Sequence, residues 1–130
     1  MKIVEYNDAD PMGILHLNLL SLGYPLTPEL TGRMRSLDPR LFPFFGLYAI
    51  EEKVVVGQVL LYHLPVMTLA GLEEVGGVAA VCTHPSYGHR GIAAKLLEAA
   101  HERMCAVGLQ ISTLATQKHC IAHMLYQRIG

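Results

Sequence analysis

The chain has 130 residues, 52% of them hydrophobic and 16% charged, with a formal net charge of −1. That length suits one domain with a substantial core, and the apolar balance excludes a disordered chain. With no basic excess there is no field to draw nucleic acid.

The first ten residues, MKIVEYNDAD, do not make a signal peptide, and 2–6 read as a short strand. Asp10 before Pro11 is a cap followed by a proline at the first helical position. Ile14, Leu15, Leu19 and Leu22 give that helix an apolar face, and Gly23 ends it. Thr27 before Pro28 repeats the signal and predicts a helix over 28–36. DPRLFPFFG, from Asp38, reads as a loop with apolar anchors. LYAIEEKVVVGQVLLYHL reads as two antiparallel strands around a tight turn near Glu52–Lys53.

Val54 to Leu72 carries no charge over 19 positions, close to a membrane-spanning length. Its Gly57, Gln58, His63 and Pro65, its β-branched start and its lack of a basic flank favour two buried strands broken near Pro65. EEVGGVAAVCTH is a further strand, in which Gly76–Gly77 predicts a bulge or a close backbone approach. Ile92, Leu96, Ala100, Met104 and Val107 form the apolar line of a helix over 91–107, and Gly108 stops it. LQISTLAT reads as a strand and 119–128 as a last helix, with Ile121, Met124, Leu125 and Arg128. The order of elements is that of a mixed α/β domain.

Cys82, Cys105 and Cys120 form no CxxC and leave an odd count. They argue against a disulfide framework and for a reducing cytoplasm. HCIAH puts His119 and His123 one helical turn apart beside Cys120, but zinc needs three or four ligands. Cys82, His84 and His89 would have to be recruited by the fold, so no metal is expected.

VCTHPSYGHRGIAAKLLEAA carries the chemistry. A helix opening at Gly91 leaves its first amides unpartnered, at the positive end of its dipole. A preceding loop that turns its own N–H groups inward makes an anion cradle. Gly88 and Gly91 open the backbone to close approach, and His89 and Arg90 add positive charge. An ordinary strand-to-helix turn is the alternative. The chain has neither GxxxxGK[ST] nor GxGxxG, so two other phosphate motifs are excluded.

THPSYGHRGIAAKLL resembles the acetyl-CoA-binding signature of the GNAT acetyltransferase superfamily, Q/R-x-x-G-x-G/A. Its six positions fall on Gly88, His89, Arg90, Gly91, Ile92 and Ala93, with Gly88 where Gln or Arg is usual. LYQRIG, Leu125 to Gly130, is similar to the family's helix ending in a Tyr-x-x-x-Gly turn. The resemblance implies a mixed, mostly antiparallel central sheet flanked by helices, over 1–130. The family continues with Phe and two more strands, so a C-terminally short or truncated member is expected.

The resemblance also implies roles. The strand end at Val81, Cys82 and Thr83 would lend backbone groups to the pantetheine arm and the thioester carbonyl. Gly88 to Ala93 would hold the pyrophosphate of acetyl-CoA. A primary amine of a small molecule or peptide would attack the thioester directly, with Tyr126 as the acid for the leaving thiolate. Tyr126 packed structurally on the last helix is the other reading. Glu73 and Glu74, before the fourth strand, are candidates for a base acting through water, and His63 is another. Cys82 reads as a small buried hydrophobe unless a base activates it for acyl transfer. A homodimer is compatible with this reading, and no membrane partner is expected. The competing classes are a non-catalytic acyl-CoA-binding or interaction domain, and a membrane-associated protein built around 54–72.

Overall fold

The computed structural model describes residues 1–38, 46–116 and 121–129. The elements are β1 (Lys2–Glu5), α1 (Pro11–Leu22), α2 (Pro28–Leu37), β2 (Gly46–Glu51), β3 (Val54–Thr68), β4 (Gly71–Thr83), α3 (Ile92–Ala106), β5 (Ser112–Thr113) and α4 (Ile121–Ile129). The Asp10 carboxylate accepts from the amides of Met12 and Gly13, and the Thr27 hydroxyl accepts from Leu30, so both predicted caps form. Gly23 closes α1 in the left-handed conformation that spares it a Cβ clash.

The strands lie in chain order, β1-β2-β3-β4-β5. The first three pairings are antiparallel and β4–β5 is parallel. The sheet therefore has the expected mixed, mostly antiparallel form, with helices on both faces. The β2–β3 turn sits at Glu52 and Lys53, both with positive φ, the turn hand that fits twisted hairpins.

One face of the sheet packs Leu47, Val56, Val59, Leu61 and Val78 against Ile92, Leu96, Leu97, Ala100 and Met104 of α3. The other packs Tyr48, Val55, Leu60 and Cys82 against Ile14 and Leu17 of α1 and Leu26. Gly76 permits the close approach of α3, since a Cβ there would lie 2.4 Å from the Met104 sulfur.

Three expectations need correction. The buried stripe of α1 is Ile14, Leu17 and Asn18, whereas Leu19 and Leu22 are 45% and 46% exposed. The helix is leucine-rich all round, so spacing could not choose its inner face. Second, β3 runs unbroken through Pro65, which pairs with Glu74. Among the described residues β2 covers β3 only as far as Leu60, and beyond it an edge with no described partner tolerates a residue without an N–H. Third, β5 pairs over Ser112–Thr113 alone, not over 109–116. Of the two alternatives for Gly76–Gly77, the close approach is the one that forms, and the register shift in β4 falls after Ala79.

The loop expected from Asp38 lies, from 39 to 45, outside the described residues, as do 119 and 120 of the expected last helix. Among the described residues no helix is long and apolar enough to cross a membrane. The uncharged stretch 54–72 is β3 and the start of β4.

Candidate functional site

β5 meets β4 only at Gly76 and Gly77, with the Gly76 amide donating to the Ile111 carbonyl at 2.8 Å. From Val78 to Thr83 the β4 edge facing away from β3 has no strand partner among the described residues. The two parallel strands thus form a fork whose closed end is at Gly76–Gly77. On the other side of β4 the ladder with β3 is bulged. Between the pairs Gln58–Cys82 and Leu60–Ala79, Val59 faces two residues, Ala80 and Val81. Ala80 has φ +48, a conformation that costs a residue with a Cβ about 1–2 kcal/mol. Its carbonyl accepts a 3.0 Å hydrogen bond from the Gln58 side chain. At the strand end Ser21 Oγ donates to the Thr83 carbonyl at 3.0 Å.

Beyond Thr83 the chain turns on His84. Its Nδ1 accepts from the Ser86 amide at 3.1 Å, and its ring meets Tyr87 edge to face. Gly88 is extended, with φ −62 and ψ 159. His89 and Gly91 are both left-handed, with φ 60 and 73. The first bond of α3 is Lys95 N–H to the Gly91 carbonyl, and no side chain caps the helix. The amides of Ile92, Ala93 and Ala94 thus lack helical acceptors, in contrast with the capped starts of α1 and α2. Arg90 stands over the Tyr87 ring at 5.0 Å, which fixes a cation beside the turn.

The strand, the glycine turn and the uncapped helix start follow one another in the order in which the sequence reading put them. The GNAT acetyltransferase domain family matches residues 6–130. The chain belongs to the GNAT acetyltransferase family. No curated protein matches it. Solved structures match over nearly the whole fold. A structure described as a transcriptional regulator from Bacillus halodurans is 20% identical, with TM-score 0.78, over 99% of this chain and 91% of its own. A putative acetyltransferase from Agrobacterium tumefaciens is 19% identical, with TM-score 0.75, over 98% and 90%. A Trypanosoma brucei acetyltransferase is 20% identical, with TM-score 0.75, over 99% and 90%. At these identities the structures speak for the fold alone.

In this GNAT domain Val81 and Thr83 lie on the open edge of β4, and Cys82 points the other way into the α1–α2 core. Burial pushes the Cys82 thiol up to about 12, against the opposing hydrogen bond of Ser21. The thiol therefore stays protonated near neutral pH, as the small-hydrophobe reading expects. Gly88 to Ala93 form the turn and helix start together.

Glu73 and Glu74 are inside β4 rather than before it, because the β3–β4 hairpin continues to Leu69–Ala70. The Glu74 carboxylate lies 2.5 Å from His63 Nε2, so the strand register joins two separate base candidates. His63 sits opposite Gly76 at the closed end of the fork. Glu74 is seven residues from Val81, about 23 Å along an extended strand, so these carboxylates and the open edge are not brought together. Tyr126 is half-buried on α4 and packs against the α3-side core. Among the described residues no three His, Cys, Asp or Glu side chains gather as metal ligands. His119 and Cys120 lie outside the described residues.

Sequence reasoning missed Asn18, Gln58 and Ser21. Their signal was polarity at positions of apolar elements: Gln58 in VVVGQVLL and Asn18 in LHLNLL are 0% and 1% exposed. A fully buried amide is the informative exception to apolar patterning.

Proposed function

We propose that the protein transfers an acetyl group from acetyl-CoA to a primary amine of a small molecule or peptide, by direct attack. The observation that carries this reading is the continuous path from the open β4 edge, Val78–Thr83, to the uncapped start of α3. The residues fit the cofactor: three free amides and a helix dipole suit a pyrophosphate, and the left-handed pair His89 and Gly91 shapes the turn around it. Backbone groups of Val81 and Thr83 hold the arm and polarise the thioester carbonyl. When bound, acetyl-CoA supplies the activated acyl group.

The His63–Glu74 pair and Glu73 lie too far along β4 from Val81–Thr83 to take the ammonium proton, which leaves to solvent water. Tyr126 donates to the departing thiolate. Cys82, buried and protonated, forms no acyl-enzyme, and the amine attacks without a covalent relay. The buried free thiol of Cys82 and the exposed free Cys105 support a reducing cytoplasmic setting.

The test is Tyr126→Phe. The expected result is a fall in kcat of about 10²-fold or more, with acetyl-CoA affinity retained. An unchanged kcat would remove Tyr126 from the acid role. Gly88, in the place of the usual Gln or Arg, favours a second reading as a non-catalytic acyl-CoA-binding domain. Acetyl-CoA binding with no thiol release across a broad amine panel would establish that reading instead.

A further inference from the structure

Gln58 and Asn18 form a cyclic amide pair in the α1–β3 interface. Asn18 Nδ2 donates to Gln58 Oε1 at 2.8 Å, and Gln58 Nε2 donates to Asn18 Oδ1 at 3.1 Å. The remaining hydrogens have partners as well. Asn18 Nδ2 donates to the Ile14 carbonyl at 2.8 Å, and Gln58 Nε2 to the Ala80 carbonyl at 3.0 Å. Both side chains are fully buried among apolar neighbours. Two leucine-sized side chains would fill that space without desolvating two amides, so packing alone does not call for them.

The network ends on the carbonyl of a bulge residue that the β3–β4 register leaves without an opposite partner. The bulge takes Ala80 out of register and into the left-handed region, where its carbonyl leaves the β3–β4 pairing. Without the Gln58 bond this half-buried carbonyl would favour undoing the bulge, and a one-residue slip sends every following side chain and amide to the other side. Without the bulge Val81 and Thr83 would exchange orientation with Cys82. Ser21, one turn beyond Asn18 on α1, fixes the Thr83 carbonyl in the same way.

We infer that Gln58 and Asn18 are positioning residues for acetyl-CoA: through the Ala80 carbonyl they hold the bulge that aims the Val81–Thr83 backbone at the open edge. The inference rests on the proposed acetyl-CoA reading of that edge. Neither residue touches the cofactor or the reacting atoms.

The experiment measures acetyl-CoA affinity by calorimetry for the unaltered chain, for Asn18→Leu with Gln58→Met, and for that pair combined with Ala80→Gly. Circular dichroism melts run in parallel. The expected result is a cooperative melt for the double variant with acetyl-CoA binding weakened about tenfold or more. Adding Ala80→Gly recovers part of the affinity, because glycine holds a positive φ without support. A structural role alone would not be rescued by a residue that adds no packing. If the double variant fails to melt cooperatively, Gln58→Met alone carries the same comparison. Equal affinity in the folded variant, or no recovery with Ala80→Gly, overturns the inference and leaves the proposed function standing. No binding to the unaltered chain overturns both.

Discussion

Gly91 and Gly88 look alike in the signature and differ in what the backbone asks of them. Gly91 has φ +73 with open space around a notional Cβ, so only its conformation excludes a side chain. Gly91→Ala should cost about 1 kcal/mol of stability, seen as a lower Tm, and weaken acetyl-CoA binding by distorting the helix start. Gly88 has an ordinary φ of −62, and its Cβ would meet only the Pro85 carbonyl at 3.7 Å. Gly88→Arg should leave Tm unchanged and tighten acetyl-CoA binding severalfold, since a guanidinium gains charge-assisted bonds to phosphate. Calorimetry that showed weaker binding would place the pyrophosphate elsewhere. Gly88 is thus a lost side chain at a position whose backbone is intact.

Among the elements, α1 shows what the sequence could and could not disclose. Its Asp10–Pro11 start and Gly23 stop were legible, because capping is local chemistry of a few adjacent residues. Its inner face was not, because Leu15, Leu17, Leu19, Leu20 and Leu22 offer apolar surface in every direction and only packing on the sheet selects among them. Leu17→Ala should cost about 2–5 kcal/mol, whereas Leu19→Gln should stay within about 0.5 kcal/mol. Chemical denaturation checks both, and similar losses would put the wrong stripe against the sheet. The same distinction governs the site. The turn from Gly88 to Ala93 is contiguous and was readable. The His63–Glu74 contact and the Gln58–Ala80 bond depend on strand register, which the two strand sequences do not contain. Pro65 suggested a break because nothing in the sequence said that, among the described residues, the β2 pairing would end at Leu60, short of Pro65.

For the whole molecule, two buried acids on one side of the sheet set the alkaline limit. Burial raises Cys82 from 9.0 to about 12. It also raises Tyr48 well above the ordinary tyrosine range, with the Tyr6 charge adding to the effect. Among the described residues the buried Tyr48 hydroxyl has no hydrogen-bond partner. Each group holds its proton more tightly folded than unfolded, so its contribution is complete below its ordinary value and is lost as pH rises toward the folded one. Stability should therefore fall between pH 9 and 12, with Cys82 contributing a slope of up to about 1.4 kcal/mol per pH unit. Urea unfolding across that range should show a shallower slope for Cys82→Ala. An unaltered slope would mean that the thiol is not buried.

The acetyl-CoA reading of the fork and turn is tested most directly by thermal unfolding with and without the ligand. A ligand at a hundred times its Kd stabilises the native state by about 2.7 kcal/mol, which for a chain of this size is a Tm rise of several degrees. The predicted result is that rise with millimolar acetyl-CoA, and a smaller one for Gly91→Ala. No shift in the unaltered protein at millimolar acetyl-CoA would contradict the account.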